Sequence, residues 1–186
     1  MGPADDFFKV LKKEFPDMPF IAEDLGEVGP GVYELRDRWN LPGMAVLQYG
    51  FGNDIATSPF IAHNFTENIV AYTGTHDNNT TKGWFRKELK PEDKARLNAY
   101  LNQKITEQNA SLSLIKLASM SVAKIAIFPL QDFLNLDEKA IMNKPSVGEG
   151  NWKWRVTEEQ LKTIDSKEIM EMLQMYNRIP AEKESN

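Results

Sequence analysis

Residues 68–80 read NIVAYTGTHDNNT, a short apolar run followed at once by small polar residues and the adjacent pair His76–Asp77. A run that is apolar without alternation is typical of a strand covered by helices on both sides of a parallel sheet. Side chains at the carboxyl ends of such strands converge, and this is where sites form in parallel α/β proteins. The stretch therefore predicts a buried parallel strand that presents His76 and Asp77 at the edge of a sheet.

Three more apolar runs lie on either side of this stretch and predict three more strands, at 18–26, 43–51 and 123–134. Between them, apolar residues at helical spacing or in one largely apolar segment predict helices at 5–15, 30–39, 82–89, 91–103, 110–122 and 157–175. Residues 136–156 are loop-like. No internal linker or repeat divides residues 1–186, so we expect a single region of α/β fold with about four parallel strands and flanking helices. A closed (β/α)8 barrel needs about eight strands, and four would form half of one, incomplete on its own.

Composition argues against several classes of protein. The net charge is -5, and no stripe of Lys and Arg is present to neutralise phosphates, so we expect no nucleic-acid partner. No apolar run of about 18 residues and no signal-peptide pattern is visible, which predicts a cytoplasmic protein without a membrane partner. The chain has no cysteine and 2 histidines, too few ligands for a zinc site, and we expect neither a metal nor another cofactor.

Ionisable residues lie at the carboxyl ends of three of the predicted strand segments: Glu23–Asp24, His76–Asp77 and Asp132. Glycoside chemistry uses paired carboxyl groups, one protonated to serve the leaving oxygen and one ionised. Glu23 suits the first role because the like charge of Asp24 makes its ionisation more costly. The alternative is that Glu23–Asp24 is only the acidic start of the next helix.

The loop GEGNWKWR at 148–155 has no lysine followed by Ser or Thr, as a phosphate-binding P-loop would. Aromatic side chains in a polar loop favour contact with sugar rings, whose apolar faces stack on them. Packing of Trp152 or Trp154 onto the body of the protein is the alternative interpretation.

The sequence blocks FIAEDLG, LRDRWNLPGMAVLQYGF, NIVAYTGTHDNNTTKGW, IAIFPLQDFL and GNWKWRV, in this order, resemble the C-terminal half of the amylomaltase-type 4-alpha-glucanotransferases. The resemblance covers nearly the whole chain. It implies the C-terminal half of a (β/α)8 TIM barrel and a retaining double displacement. The reaction would transfer α-1,4-glucan segments between maltooligosaccharides, which are the implied substrate.

Matching the blocks residue by residue implies a role for several side chains. Glu23 corresponds to the general acid/base of the family and Asp77 to the carboxylate that stabilises the transition state. His76 corresponds to a sugar contact beside the bond that breaks. Three further positions match substrate-binding residues: Asp24, Tyr49 and Asn151.

The family's nucleophile is an aspartate in an Arg-Ile-Asp-His motif, and these 186 residues contain no such motif. A retaining mechanism needs that second carboxylate about 5 Å from the acid/base. We therefore expect the chain to be a fragment that is inactive alone, and that self-associates through open sheet edges or pairs with the missing N-terminal half. Two alternative functions are a glucan-binding fragment without catalysis and an α-1,4-glucan hydrolase of the amylase group.

Overall fold

The computed structural model describes residues 2–179, which form three strands and eight α-helices. The strands are β1 (Gly43–Val46), β2 (Ile69–Tyr72) and β3 (Ile125–Ile127). The helices are α1 (Asp5–Glu14), α2 (Pro30–Arg38), α3 (Thr81–Lys87), α4 (Pro91–Leu101), α5 (Ala110–Met120), α6 (Leu130–Phe133), α7 (Glu158–Lys162) and α8 (Ser166–Met175). Single 3-10 turns occupy Leu47–Tyr49, Ala62–Asn64 and Glu138–Ala140.

The strands form one parallel sheet in the sequential order β1–β2–β3. Val46 lies opposite Tyr72, and Tyr72 lies opposite Ile127, so the three carboxyl ends meet at the same edge. Helices α3, α4 and α5 connect β2 to β3, as a crossover between parallel strands requires. The predicted α/β fold with a parallel sheet is thereby confirmed.

The strand predicted at 18–26 does not form among the described residues, and that prediction is wrong. Ala22 donates its backbone N–H to the carbonyl of Pro42, which is one half of a parallel bridge to β1. The other half would need the N–H of Met44, but Met44 donates instead to Oδ1 of Asp24 at 2.9 Å. The side chain of Asp24 thus accepts the N–H of Met44 that strand pairing would need. The segment therefore stays irregular.

The strand predicted within 123–134 forms, but it is short and only one of its faces is covered. Ala126 packs against the core, whereas Ile125 and Ile127 are 43% and 42% exposed. Both isoleucines point to the face away from the helices, since alternate residues of a strand lie on opposite faces. The expectation of a strand buried on both faces is wrong here, because no described element covers that side of β3.

The core lies between the sheet and helices α3, α4 and α5. Small residues on the strands, Ala45 and Ala71, are opposite one another in the sheet and fully buried, which lets the helices approach closely. Aromatic and aliphatic side chains of the helices and loops fill the remaining volume: Leu47, Phe51, Ile61, Trp84, Leu97, Leu114 and Ala118. This packing fixes the sheet edge at which the loop after β2 emerges.

Helix α1 attaches to this body by aromatic and polar contacts, since the ring of Phe8 packs against Trp39 with centroids 5.6 Å apart. Asp5 at the start of α1 accepts a hydrogen bond of 2.8 Å from Nε1 of Trp39, which follows α2. The helical region predicted at 157–175 is two helices, α7 and α8, and Thr157 begins the first with a capping box to Gln160. No helix among the described residues is both long enough and apolar enough to cross a membrane.

Candidate active site

The carboxyl ends of the three strands open into a cavity of about 1010 Å³. Strand residues Met44, Tyr72 and Ile127 contribute to its lining, together with the whole loop at 74–80. Burial raises the pKa of the Tyr72 hydroxyl, which keeps this part of the lining uncharged. Four of the six predicted site residues line the cavity: Glu23, Tyr49, His76 and Asp77.

Side-chain hydrogen bonds give the loop after β2 its shape. Oδ1 of Asn78 accepts hydrogen bonds from the backbone N–H and the hydroxyl of Thr75, at 2.8 and 2.9 Å. Nδ2 of Asn78 donates to the Tyr49 hydroxyl at 2.6 Å, and Gln48 donates to the carbonyl of Asn79 at 3.0 Å. The 3-10 turn that follows β1 therefore braces the loop that follows β2.

Asp77 has an exposed carboxylate that is anchored through one oxygen. Oδ1 accepts a hydrogen bond of 2.6 Å from Nδ2 of Asn143, and Nε2 of His76 lies 3.3 Å from the same atom. The backbone N–H of Asp77 donates to the hydroxyl of Thr75 at 3.3 Å. About half of the side chain is exposed (47%), so the carboxylate can contact a ligand in the cavity.

His76 lies between Asp77 and an aromatic ring. Its imidazole packs against the indole of Trp152, with ring centroids 5.2 Å apart and planes inclined by 36°. Its backbone carbonyl accepts the N–H of Asn143 at 3.1 Å. The imidazole thus has one apolar neighbour and one carboxylate neighbour while its side chain is 56% exposed.

Glu23 is exposed and projects into the cavity from the irregular segment before α2. Its Oε1 accepts a hydrogen bond of 3.0 Å from the backbone N–H of Leu25. The next helix begins only at Pro30, so the pair Glu23–Asp24 is not the acidic first turn of a helix. This removes the structural alternative considered for Glu23.

Asp24 is buried (5% exposed) and does not line the cavity. Its carboxylate forms an ion pair with Arg36 of α2 and accepts the backbone N–H of Met44 in β1. Asp24 thus joins three segments of the chain, and its charge is compensated by Arg36.

Asn151 also lies outside the main cavity, in a shallow depression formed by the loop that contains it. Its Oδ1 accepts the N–H of Lys144 at 2.9 Å, and its Nδ2 donates to the carbonyls of Lys144 and Val147 at 3.2 and 2.9 Å. The amide group of Asn151 is therefore engaged in closing its own loop.

Asp132, which follows the last strand, is 2% exposed and faces the interior. Burial raises the pKa of its carboxyl, and hydrogen bonds from Thr73 and Thr81 oppose that shift. Its role is in the packing of the fold, since it contributes no atom to the cavity lining.

Sequence reasoning missed Asn143 and Asn78, the amides that hold Asp77 and Tyr49. Asn78 directly follows the His-Asp pair and could have been found as a turn residue, because Asn side chains commonly bond nearby backbone. Asn143 lies 66 residues from Asp77 in a loop-like segment, and no local pattern marks it. Among residues 2–179, no group of three or more His, Asp or Glu side chains is placed to hold a metal ion.

The fold and site define a class of protein: a parallel α/β domain with a carboxylate-bearing cavity at the carboxyl ends of its strands. A family model described as 4-alpha-glucanotransferase matches residues 1–162. The chain belongs to the 4-alpha-glucanotransferase family.

Individual relatives agree with this assignment. The chain is 43% identical over 179 residues to a 4-alpha-glucanotransferase of Synechocystis, covering 95% of this chain and 35% of that protein. It is 39% identical over 184 residues to the Thermus thermophilus 4-alpha-glucanotransferase, covering 96% and 36%. A potato relative named as chloroplastic/amyloplastic is 40% identical over 182 residues, with 96% of this chain and 31% of that protein covered.

Solved structures show the same fold. Amylomaltase from Streptococcus agalactiae in complex with acarbose superposes with a TM-score of 0.87 at 32% identity, covering 95% of this chain and 35% of that chain. Amylomaltase from Corynebacterium glutamicum, at 16% identity and a TM-score of 0.57, shares the fold over 84% of this chain and 28% of that chain. The chain spans about a third of the length of the relatives it matches.

Proposed function

We propose that this chain supplies the acid/base and transition-state-stabilising part of an amylomaltase-type active site. The reaction is transfer of α-1,4-glucan segments between maltooligosaccharides by a retaining double displacement. The observation that carries the proposal is the cavity at the carboxyl ends of β1, β2 and β3, in which Glu23, Tyr49, His76 and Asp77 meet.

Glu23 is the general acid/base in this proposal. Its exposed carboxyl group projects into the cavity, where it can protonate a glycosidic oxygen and then activate the acceptor hydroxyl. Asp77 stabilises the oxocarbenium-like transition state, because a carboxylate on the ring hydroxyls bonds more strongly as positive charge develops on the sugar. His76 and Tyr49, which line the same cavity, bind sugar hydroxyls.

Asp24 and Asn151, which the family resemblance implies as substrate-binding positions, support the site from outside the cavity. Asp24 holds the segment that carries Glu23 against Arg36 and β1. Asn151 closes the loop that contacts His76. We therefore propose that both affect glucan binding through the segments they fix.

The sheet is, in this proposal, part of a (β/α)8 barrel, and residues 1–186 form one region of it. Parallel strands in sequential order are the arrangement of a barrel, whereas a doubly wound sheet reverses its order at a switch point. Ile125 and Ile127 are exposed on the face away from the helices, which would be the barrel interior. The open edges of the sheet can pair with further strands, either of a second copy of this chain or of the rest of the barrel.

The retaining nucleophile is proposed to come from residues other than these 186, which contain no Arg-Ile-Asp-His motif. Asp24 is buried in an ion pair with Arg36, and Asp77 has the transition-state-stabilising role, so neither supplies the nucleophile in this proposal. Transfer by the isolated chain is therefore not expected. Since the chain has no cysteine and needs no oxidising compartment, we propose a cytoplasmic location.

The test is disproportionation of maltotriose, followed by chromatography of glucose and longer oligomers. It compares this chain alone with the same chain joined to the part of the Synechocystis relative that lies outside the matched region. We expect products only from the joined protein. Replacing Glu23 by Gln should lower kcat by about 10²- to 10⁴-fold, and replacing Asp77 by Asn by about 10²- to 10³-fold.

Matched controls are Glu27→Gln and Asp54→Asn, which change exposed carboxylates outside the cavity and should leave kcat unchanged. Product formation without a preference for acceptor sugar over water would favour a hydrolase instead. Binding of acarbose by the joined protein without any turnover would favour a glucan-binding protein. Full activity of the Glu23→Gln or Asp77→Asn variant would refute the assignment of that residue.

A further inference from the structure

The loop at 143–152 contacts the His76–Asp77 pair at two points. Asn143 donates from Nδ2 to Oδ1 of Asp77 at 2.6 Å and from its backbone N–H to the carbonyl of His76 at 3.1 Å. At the other end of the loop, the indole of Trp152 packs against the imidazole of His76. One loop therefore fixes both members of the pair.

The loop is built to bring these two residues together. The Asn151 side chain bridges across it to the backbone of Lys144 and Val147. Trp152 donates its backbone N–H to the carbonyl of Met142 at 2.7 Å, so the two ends of the loop are directly bonded.

Trp152 adopts a left-handed backbone conformation, with φ of 62°. A non-glycine residue in this region is strained and persists where the surroundings enforce it. Here the enforcing contacts are the bond to Met142 and the packing of the indole on His76. The indole is 5.2 Å from the imidazole although Trp152 as a whole is 54% exposed, so hydrophobic burial alone does not account for its position.

We propose that Asn143 and Trp152 are positioning residues for the His76–Asp77 pair. Asn143 and His76 both lie against Oδ1 of Asp77, and among the described residues Oδ2 accepts no hydrogen bond and forms no ion pair. These contacts on Oδ1 fix the orientation of the carboxylate, so that Oδ2 is the oxygen that contacts a ligand in the cavity. Trp152 holds the His76 imidazole so that its ring cannot swing away from the carboxylate. The effect of these residues on catalysis rests on the proposed function, whereas the contacts that they make do not.

The first arm of the test uses NMR of this chain, which has only 2 histidines. His63 packs on Tyr100, outside the cavity, and serves as an internal reference. We expect Trp152→Leu to move the imidazole signals of His76 toward their random-coil positions, because the ring current of the indole is lost, and to leave His63 unchanged. Trp154→Leu is the matched control and should leave the imidazole signals of both His76 and His63 unchanged.

Asn143→Ala should change the side-chain carboxylate shift of Asp77, while Asn68→Ala should not. Asn68 is a suitable control because its amide also bridges two loops, donating to Asn40 at the opposite end of β2. An unchanged His76 signal in Trp152→Leu, or an unchanged Asp77 signal in Asn143→Ala, would overturn the inference.

The second arm measures maltotriose turnover by the joined protein. A misplaced catalytic group costs up to about 10²-fold, so we expect Asn143→Ala to lower kcat by about 10- to 100-fold with a smaller effect on KM. Asn68→Ala should leave both constants unchanged. A loss of kcat shared equally by the two variants would mean that only stability was affected, and it would overturn the positioning role. If the unmutated joined protein has no activity, the proposed function fails, and the NMR arm still decides the contacts.

Discussion

The hydroxyl of Thr73, the residue after β2, donates a hydrogen bond of 2.6 Å to Oδ2 of Asp132. The same carboxylate accepts the backbone N–H of Thr81 at 2.9 Å and its hydroxyl at 2.7 Å. Thr73 and Thr81 flank the loop at 74–80, so one buried carboxylate anchors both ends of the loop that carries His76 and Asp77. The position of the candidate catalytic carboxylate therefore depends on a side chain that never reaches the cavity.

Replacing Asp132 by Ala should destabilise the chain strongly. It leaves the N–H of Thr81 buried without its acceptor and removes the partner of two hydroxyls, and an unsatisfied buried group costs about 1–3 kcal/mol. We expect a total loss of about 3 kcal/mol, measured by urea unfolding. Asp132→Asn keeps one acceptor oxygen and should lose less. Equal stability of Asp132→Ala and the unmutated chain would contradict this account.

Glu138 should make the stability of the chain depend on pH in the acid range. Hydrogen bonds from Lys87 and Arg86 lower the pKa of its carboxyl to about 2. Because the folded-state pKa lies below the ordinary value, this contribution is complete above about pH 4.5 and is lost as the pH falls towards 2. The melting temperature of Glu138→Gln should thus lie below that of the unmutated chain at pH 6, and the difference should vanish near pH 2.

The matched control for this prediction is Glu149→Gln, which changes an exposed carboxylate in a loop. At pH 6 its melting temperature should equal that of the unmutated chain. Asp132 has the opposite effect, because its raised pKa favours folding at low pH. Both variants and the unmutated chain contain Asp132, so its contribution cancels when their melting temperatures are compared. A constant difference between Glu138→Gln and the unmutated chain from pH 6 to pH 2 would contradict the assignment.

Arg178 should be essential for holding the segment after α8 to the end of α5. Its guanidinium group donates to the carbonyls of Ala118, Ser119, Ser121 and Ala123, which lie at or just beyond the carboxyl end of α5. Arg178→Lys keeps the positive charge that favours a helix carboxyl end but loses the planar fork of donors. We expect Arg178→Ala to cost about 2 kcal/mol and Arg178→Lys to recover less than half of it, measured by thermal unfolding.

Gly43→Ala should disturb the ion pair behind Glu23. A Cβ atom at Gly43 would overlap Oδ2 of Asp24 and lie 2.7 Å from Nη1 of Arg36. We expect a loss of about 1–3 kcal/mol in stability and, in the joined protein, reduced kcat because the Glu23 segment shifts. Gly148→Ala is the control, since its Cβ would meet no atom within 4 Å. Equal stability and equal kcat of Gly43→Ala and Gly148→Ala would contradict this account, because they would show that the Asp24–Arg36 ion pair tolerates displacement.

Local patterns in the sequence were sufficient for most of the fold. The apolar run at 69–72 forms a parallel strand, whereas the run at 43–51 is a strand only over Gly43–Val46 and then turns. The stop and start residues around Pro16 and Pro91 bound α1 and α4 as predicted. The local patterns also predicted that His76–Asp77 lies beyond the end of a strand, because a change from apolar to small polar residues indicates a strand end. Helical periodicity and strand burial depend on neighbours in sequence, which is why they can be predicted from it.

Only the tertiary structure decided which carboxylates face the cavity. The sequence places Glu23 and Asp24 side by side and predicts both for the site, yet Asp24 turns inward to Arg36 and Met44 while Glu23 projects into the cavity. The contact of Asn143 with Asp77 likewise joins residues that are 66 positions apart. Sequence by itself determined the elements and the chemical groups at their ends, because those follow from local hydrophobic pattern. The orientation of each group depends on charges and donors brought from distant segments, and only packing of the whole chain supplies those.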